Sequence, residues 1–283
     1  MDRMDAPAIA LLDNGSLRPA ATLALRAAAA ALAARTGRVV APVSLLHSGK
    51  VPVAELAGVP AETLAPWVRR CADAGRHDLV VVPYFLGPSR ALTEYLPERV
   101  AKWREQWPEL RLRLAPALGD GADAADRLAG ALERRVDATL ARLGADGRPT
   151  VAVVDHGSPE PRVTAVRDAV AARLAERLGG RVRAVAPCSM ERRDGEEYAF
   201  AEPLLATLLR RAPFDAGAVV VAMLFLSPGR HAGPEGDVAQ ICRAAEAERP
   251  GLRATTTDLL GGDPAVLELL AERLEQGLRA AAI

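Results

Sequence analysis

The sequence predicts an α/β fold made of two similar four-stranded parallel-sheet domains related by internal duplication. Three observations carry this. Short apolar runs alternate with helix-forming segments along the chain, which is the order of βαβ units with right-handed crossovers. That order starts afresh after residue 149. Two loop sequences also recur in register. Leu12-Asp13-Asn14-Gly15-Ser16 returns as Val154-Asp155-His156-Gly157-Ser158, and Phe85-Leu86-Gly87-Pro88-Ser89-Arg90-Ala91 returns as Phe225-Leu226-Ser227-Pro228-Gly229-Arg230-His231. His156 follows Asn14 by 142 residues and His231 follows Ala91 by 140.

In the first half, residues 8–12 form a short apolar strand running into a turn, and the Ala/Leu-rich stretch 19–35 is a helix of strong helix formers. Residues 39–46 are β-branched and apolar, a second strand, and 61–74 a second helix. The run 79–84 is apolar on both faces, as a central parallel strand requires. Residues 92–106 form a helix, 110–114 a fourth strand and 122–143 a closing helix. Residues 145–149 have linker composition. The second half repeats the pattern: strands at 151–154, 182–187, 218–224 and 252–256, helices at 163–178, 198–210, 237–248 and 264–280. The predicted domains are therefore 1–144 and 150–283.

Composition bounds the function. Half of the 283 residues are hydrophobic, enough for packed cores in domains of common size. Lys+Arg and Asp+Glu are both 36, so no basic excess points to nucleic acid. Cys71, Cys188 and Cys242 are too few and too scattered for a disulfide framework, which indicates a reducing, cytoplasmic setting. Acidic Asp2 and Asp5 ahead of a short apolar run do not make a signal peptide, and no apolar run approaches the roughly 20 residues that cross a bilayer.

Ligands of open parallel sheets sit at the carboxyl ends of the strands. Two of the chain's four histidines, His156 and His231, fall there in the second domain, after its first and third strands. Neighbouring parallel strands lie about 4.8 Å apart, so the two loops can bring both imidazoles to one metal ion. Read separately, His156 is a turn residue beside the helix-capping Asp155 and Ser158, and His231 a surface residue; the joint placement is what marks a site. Glu191 and Glu235 are candidate proton acceptors beside it. Ser158, Arg192, Arg193 and Arg230 are candidate substrate-binding residues, because arginine at a ligand mouth meets carboxylate or phosphate bidentately. Asn14, at the matching position of the first half, is a further candidate substrate-binding residue. Cys188 and Met190 read as core residues rather than soft ligands. His47 ends a strand, and His77 precedes one, at the end away from the site. Gly49-Lys50 lacks the earlier glycine of a phosphate-binding loop.

These segments resemble the class II tetrapyrrole chelatases, specifically the sirohydrochlorin cobaltochelatase and ferrochelatase family in its bilobal, internally duplicated form. The resemblance rests on residues 153–158, on 224–231, and on Leu259-Leu260-Gly261-Gly262-Asp263-Pro264 before the last helix. The first half matches through residues 86–90 and Ala117-Leu118-Gly119. It implies flavodoxin-like lobes clasping a planar tetrapyrrole, with His156 and His231 facing the metal. The implied activity is that of a lyase inserting Co²⁺, Fe²⁺ or Ni²⁺, the ion being a substrate and no organic cofactor being needed. Imidazoles with pKa near 6.5 suit both tasks, holding the ion and accepting pyrrole protons. Cobalt would place the chain in cobalamin biosynthesis and iron in sirohaem biosynthesis. A second reading is a carrier of tetrapyrrole or metal without turnover. A histidine phosphatase is excluded, since Asp155 stands where that chemistry needs a phosphate-binding arginine. The expected partner is the tetrapyrrole alone, with no nucleic acid and no membrane, and the chain a monomer or weak homodimer. Asn14 and Ala91 offer no good ligand atoms, which predicts one metal per chain.

Overall fold

A computed structural model of the chain describes residues 6–143 and 147–283. Asp2, Asp5 and the linker positions Ala145 and Asp146 lie outside the described residues. The first half runs β1 (Ala8–Asp13), α1 (Pro19–Thr36), β2 (Val40–Ser44), β3 (Glu62–Thr63), α2 (Leu64–Asp73), β4 (Asp78–Pro83), α3 (Leu96–Gln106), β5 (Arg111–Leu114) and α4 (Ala124–Leu143). The second runs β6 (Thr150–Asp155), α5 (Pro161–Leu178), β7 (Ala184–Ser189), α6 (Leu205–Leu208), β8 (Gly217–Met223), α7 (Asp237–Glu248), β9 (Leu252–Thr256) and α8 (Pro264–Arg279).

Both sheets are parallel, in the orders β3-β2-β1-β4-β5 and β7-β6-β8-β9. Without β3 the two orders are the same. The first sheet thus has a fifth strand beyond the four predicted, a two-residue strand pairing Glu62 with Val43 and Thr63 with Ser44. That pairing takes the first turn of the expected 61–74 helix. The repeat holds residue by residue: Asp13 lies opposite Ser44 and Asp155 opposite Ser189. Helices α1 and α5 both start on a proline and both contain 18 residues.

The predicted 198–210 helix is not formed. A 3₁₀ segment at Glu196–Ala201 and the single turn of α6 replace it, because Pro203 falls inside and cannot donate to a helical ladder. The central strands are fully buried, with Leu79 to Val82 and Val151 to Val154 inaccessible to solvent. Among the described residues, no helix is long and apolar enough to cross a membrane.

The compact units do not follow the sequence repeat. One comprises Met1–Asp120 with Leu267–Ile283, the other Gly121–Val266. Helix α4 therefore belongs with the second sheet and nearly all of α8 with the first. The packing explains the exchange. Leu128, Leu132 and Val136 of α4 are buried, and α4 packs on α5 and β8. Arg177 of α5 and Arg181, in the 3₁₀ turn that follows it, pair with Asp126, Glu133 and Asp137 of α4. In the other unit, Gly277 lets α8 lie close on the sheet: a Cβ there would come within 2.8 Å of Ala115 and 3.2 Å of Val80. Arg273 of α8, buried, donates to the carbonyls of Ala117, Leu118 and Asp120.

Candidate metal site

Strand β6 ends at Asp155, and the chain turns at His156-Gly157. Gly157 has φ +92°, and a Cβ there would lie 1.9 Å from the Glu191 carbonyl oxygen, so only glycine fits. The close approach arises because the β6–β7 pairing continues into the loops: Met190 N–H donates to Asp155 O (2.8 Å) and Glu191 N–H to His156 O (3.2 Å). Glu191 is thereby held beside the imidazole, its Oε1 3.4 Å from His156 Nε2.

After β8, the loop folds back so that Val238 N–H donates to His231 O (3.2 Å). This places His231 against the start of α7, with Nδ1 2.7 Å from the Asp237 carboxylate. The two imidazole rings stand edge to face, centroids 4.5 Å apart and planes at 65°. His156 Nδ1 lies 2.9 Å from Gly157 O. In both rings the partner of Nδ1 is an acceptor, so Nδ1 carries the proton and the neutral ring keeps its lone pair on Nε2. Among the described residues, no group of three or more His, Cys, Asp or Glu side chains forms a ready metal cage.

Beneath the turn lies a buried polar bridge. Asp155 Oδ1 accepts from Gly157 N–H (3.1 Å) and Ser189 Oγ–H (2.8 Å). Arg167 of α5, 1% exposed, donates to Ser189 Oγ (2.6 Å) and Ala201 O (3.1 Å) and lies 3.9 Å from Asp155 Oδ1. Burial pushes the Asp155 carboxyl above its ordinary range, and the Arg167 guanidinium and Ser189 hydroxyl oppose that shift.

The first unit repeats this frame without its chemistry. Leu45 N–H donates to Asp13 O and Leu46 N–H to Asn14 O, matching the bonds of Met190 and Glu191. Asn14, Leu46 and Ala91 thus stand where the second unit has His156, Glu191 and His231. Counting from the prolines that open α1 and α5, the partner of Arg167 is buried Leu25. Among the described residues Asp13 has no cation partner, and its Oδ1 is buried and unbonded. Burial raises its pKa from 3.8 to about 6, against the smaller effects of Ser44 and Gly15.

Asp13→Asn is expected to stabilise the protein by up to about 3 kcal/mol at pH 7.5. The sign follows from linkage. Between pH 3.8 and 6 the folded state keeps a proton that the unfolded state has lost, so stability falls as pH rises through that window. The gain from the substitution should therefore fade to nothing near pH 4, as urea titrations at both pH values would read. An equal gain at both would show that the charge is irrelevant.

The remaining expected residues separate into those the site gathers and those it does not. Glu191 is gathered. Glu235 is not: its side chain is 87% exposed and pairs with Arg243 at 3.2 Å. Arg192 is tied down by Glu202 (2.8 Å) and by the carbonyls of Arg193 and Gly195. Arg193 lies over the Tyr198 ring at 5.9 Å. Arg230 is exposed, its Nε 3.7 Å from Asp237, next to His231. Ser158 Oγ accepts from Glu160 N–H (3.1 Å) at the entry to α5, and Asn14 is exposed at the end of β1. Cys188 and Met190 are core residues, as expected; burial drives the Cys188 thiol far above its usual range. His77 Nε2 lies 3.2 Å from Glu109, away from the carboxyl edge. Asp237, Arg167 and Ser189 were not singled out in the sequence. The one available signal was an acidic residue opening a helix six positions after His231.

Two parallel sheets of like order, related by duplication and carrying a histidine pair at one carboxyl edge, define a class II chelatase scaffold in its two-repeat form. The CbiX family model matches residues 8–139 and again 150–277, so the chain belongs to the CbiX family. No curated protein matches in sequence. Among solved structures, SirB from Bacillus subtilis with Fe3+ aligns at 17% identity and TM-score 0.65, over 96% of this chain and 95% of that one. The sirohydrochlorin chelatase SirB from Bacillus subtilis subspecies spizizenii, in complex with cobalt, aligns at 19% identity and TM-score 0.63 over the same shares. A multi-domain protein from Deinococcus radiodurans, described as structurally similar to chelatases with two additional novel domains, aligns at 19% identity and TM-score 0.58. The alignment covers 98% of this chain and 57% of that protein.

Proposed function

We propose that the protein inserts a divalent metal, Co²⁺ or Fe²⁺, into sirohydrochlorin or a related tetrapyrrole. The observation that carries this reading is the pair of imidazoles 4.5 Å apart, each with its Nδ1 against an acceptor and so with the lone pair of the neutral ring on Nε2. Two nitrogen ligands with no complete cage hold an ion loosely enough to release it. The macrocycle loses two pyrrole N–H protons as the ion enters. Glu191, 3.4 Å from His156, accepts one of them, and the other passes to solvent water at the exposed edge. Asp237 orients His231 and raises its basicity. Arg230, at the same edge, meets a substrate carboxylate. Cys71, Cys188 and Cys242 are buried thiols, which supports a reducing cytoplasmic setting.

Purified protein mixed with sirohydrochlorin and Co²⁺ or Fe²⁺ should accelerate the absorbance change of metallation above the spontaneous rate. His156→Ala and His231→Ala should each return it to background while keeping the wild-type melting temperature, both side chains being partly exposed. Tetrapyrrole binding without acceleration would instead establish a carrier. Titration against a chromophoric chelator should give one ion per chain; two would refute the silent first half.

A further inference from the structure

The first unit holds a feature the chelatase reading does not use. A cavity of about 140 Å³ opens at the carboxyl ends of β2 and β3. Its polar lining includes His47, Tyr95 and Arg99, and its apolar lining includes Leu45, Leu64 and Trp103. Among the described residues, no Asp or Glu lines it. Tyr95, Arg99 and Trp103 are spaced four apart, so the last turn of a π-helical segment (Ala91–Tyr95) and the face of α3 present them as one stripe. Such π turns are frequent at functional sites.

Two further observations point to a ligand. Arg99 lies over the Trp103 ring at 5.5 Å and makes no ion pair among the described residues; its guanidinium donors are left to an incoming group. His47 holds φ +66°, ψ −45°, a conformation that costs a non-glycine residue of order 1–3 kcal/mol and that collects at ligand sites. Arginine on an aromatic face, an imidazole and a phenol are all donors, which selects an anion. The leucine and tryptophan walls select one carried on an apolar stem. Pockets that enclose a whole small ligand measure about 300–1,000 Å³, so a cavity of this size admits only a piece of a larger molecule, or a very small acid.

We propose that this cavity is a carboxylate subsite: Arg99, with His47 and Tyr95, binds the head of a short aliphatic acid whose stem lies against Trp103 and Leu64. The carboxylate is either a side chain of the macrocycle, in which case the inference rests on the chelatase reading, or a free small acid.

The test uses the full chain and propionate, with propionamide as the uncharged control. Saturable NMR shifts of the Trp103 indole N–H by propionate, absent with propionamide and lost in Arg99→Gln, are expected. No shift of that resonance, or the same shift in Arg99→Gln, would overturn the proposal. The source is read separately. If the macrocycle supplies the acid, Arg99→Gln raises KM for sirohydrochlorin about tenfold with kcat unchanged, the loss of one charge-assisted hydrogen bond. If KM is unchanged while propionate binding is lost, the acid is a free one. Because the propionate arm needs no turnover, failure of the chelatase reading leaves it standing and readable.

Discussion

Gly157→Ala is expected to abolish metal insertion and to cost the protein several kcal/mol of stability. The new methyl group would lie 1.9 Å from the Glu191 carbonyl oxygen, on a backbone at φ +92°. A contact with backbone cannot be relieved by a rotamer change, so the β6 and β7 loops must part, and His156 and Glu191 separate with them. Left-handed strain alone contributes about 1–3 kcal/mol, and the displaced hydrogen bonds add to it. Gly15→Ala is the matched control, with its Cβ 1.7 Å from Leu46 O. It should destabilise to a similar degree, yet its folded fraction should retain insertion at saturating substrate, because the turn it breaks carries Asn14 and no imidazole. Urea denaturation midpoints, with activity measured well below each midpoint, check both. Wild-type stability in Gly157→Ala would show that the close approach is wrong.

Arg167→Leu copies into the second repeat what the first has at Leu25, and it should cost about 3–5 kcal/mol. The guanidinium is 1% exposed, and its removal strands the Asp155 carboxylate in apolar surroundings with only Ser189 and Gly157 as donors. Arg167→Leu/Asp155→Asn should recover much of the loss, because a neutral amide needs no counter-charge. The coupling between the two changes, read from a double-mutant cycle in urea, should be about 1 kcal/mol or more. Additive effects would mean that Arg167 acts through its other partners, Ser189, Ala201 and Asp168.

The strands and the histidine pair were legible because both depend on short-range patterns. Runs such as residues 79–82 are apolar on both faces, and the repeat sets His156 and His231 against Asn14 and Ala91. The bridge under the turn was not legible. Arg167 sits in Val166-Arg167-Asp168, which reads as a solvated helix face; its burial is decided by Ser189 and Ala201, 22 and 34 residues further on. Glu235 and Arg192 were plausible site residues by position, but each has a closer partner, Arg243 and Glu202, that sequence spacing does not reveal. The 198–210 helix failed for a local reason that was visible: Pro203 lies in its middle.

The exchange of closing helices bears on how the chain is made. The first unit takes Leu267–Ile283 into its packing, with Gly277 seated on β4 and Arg273 on three carbonyls. On a ribosome that helix is synthesised after the whole of the second unit, so the unit begun first is completed after the second. The second unit, Gly121–Val266, is contiguous and can close while synthesis continues. Until then the first sheet waits with Val80 and Ala115 uncovered, a natural client for a chaperone that shields apolar surface. A stop codon before residue 267 would leave a closed second unit carrying both histidines, joined to a first unit that cannot finish folding.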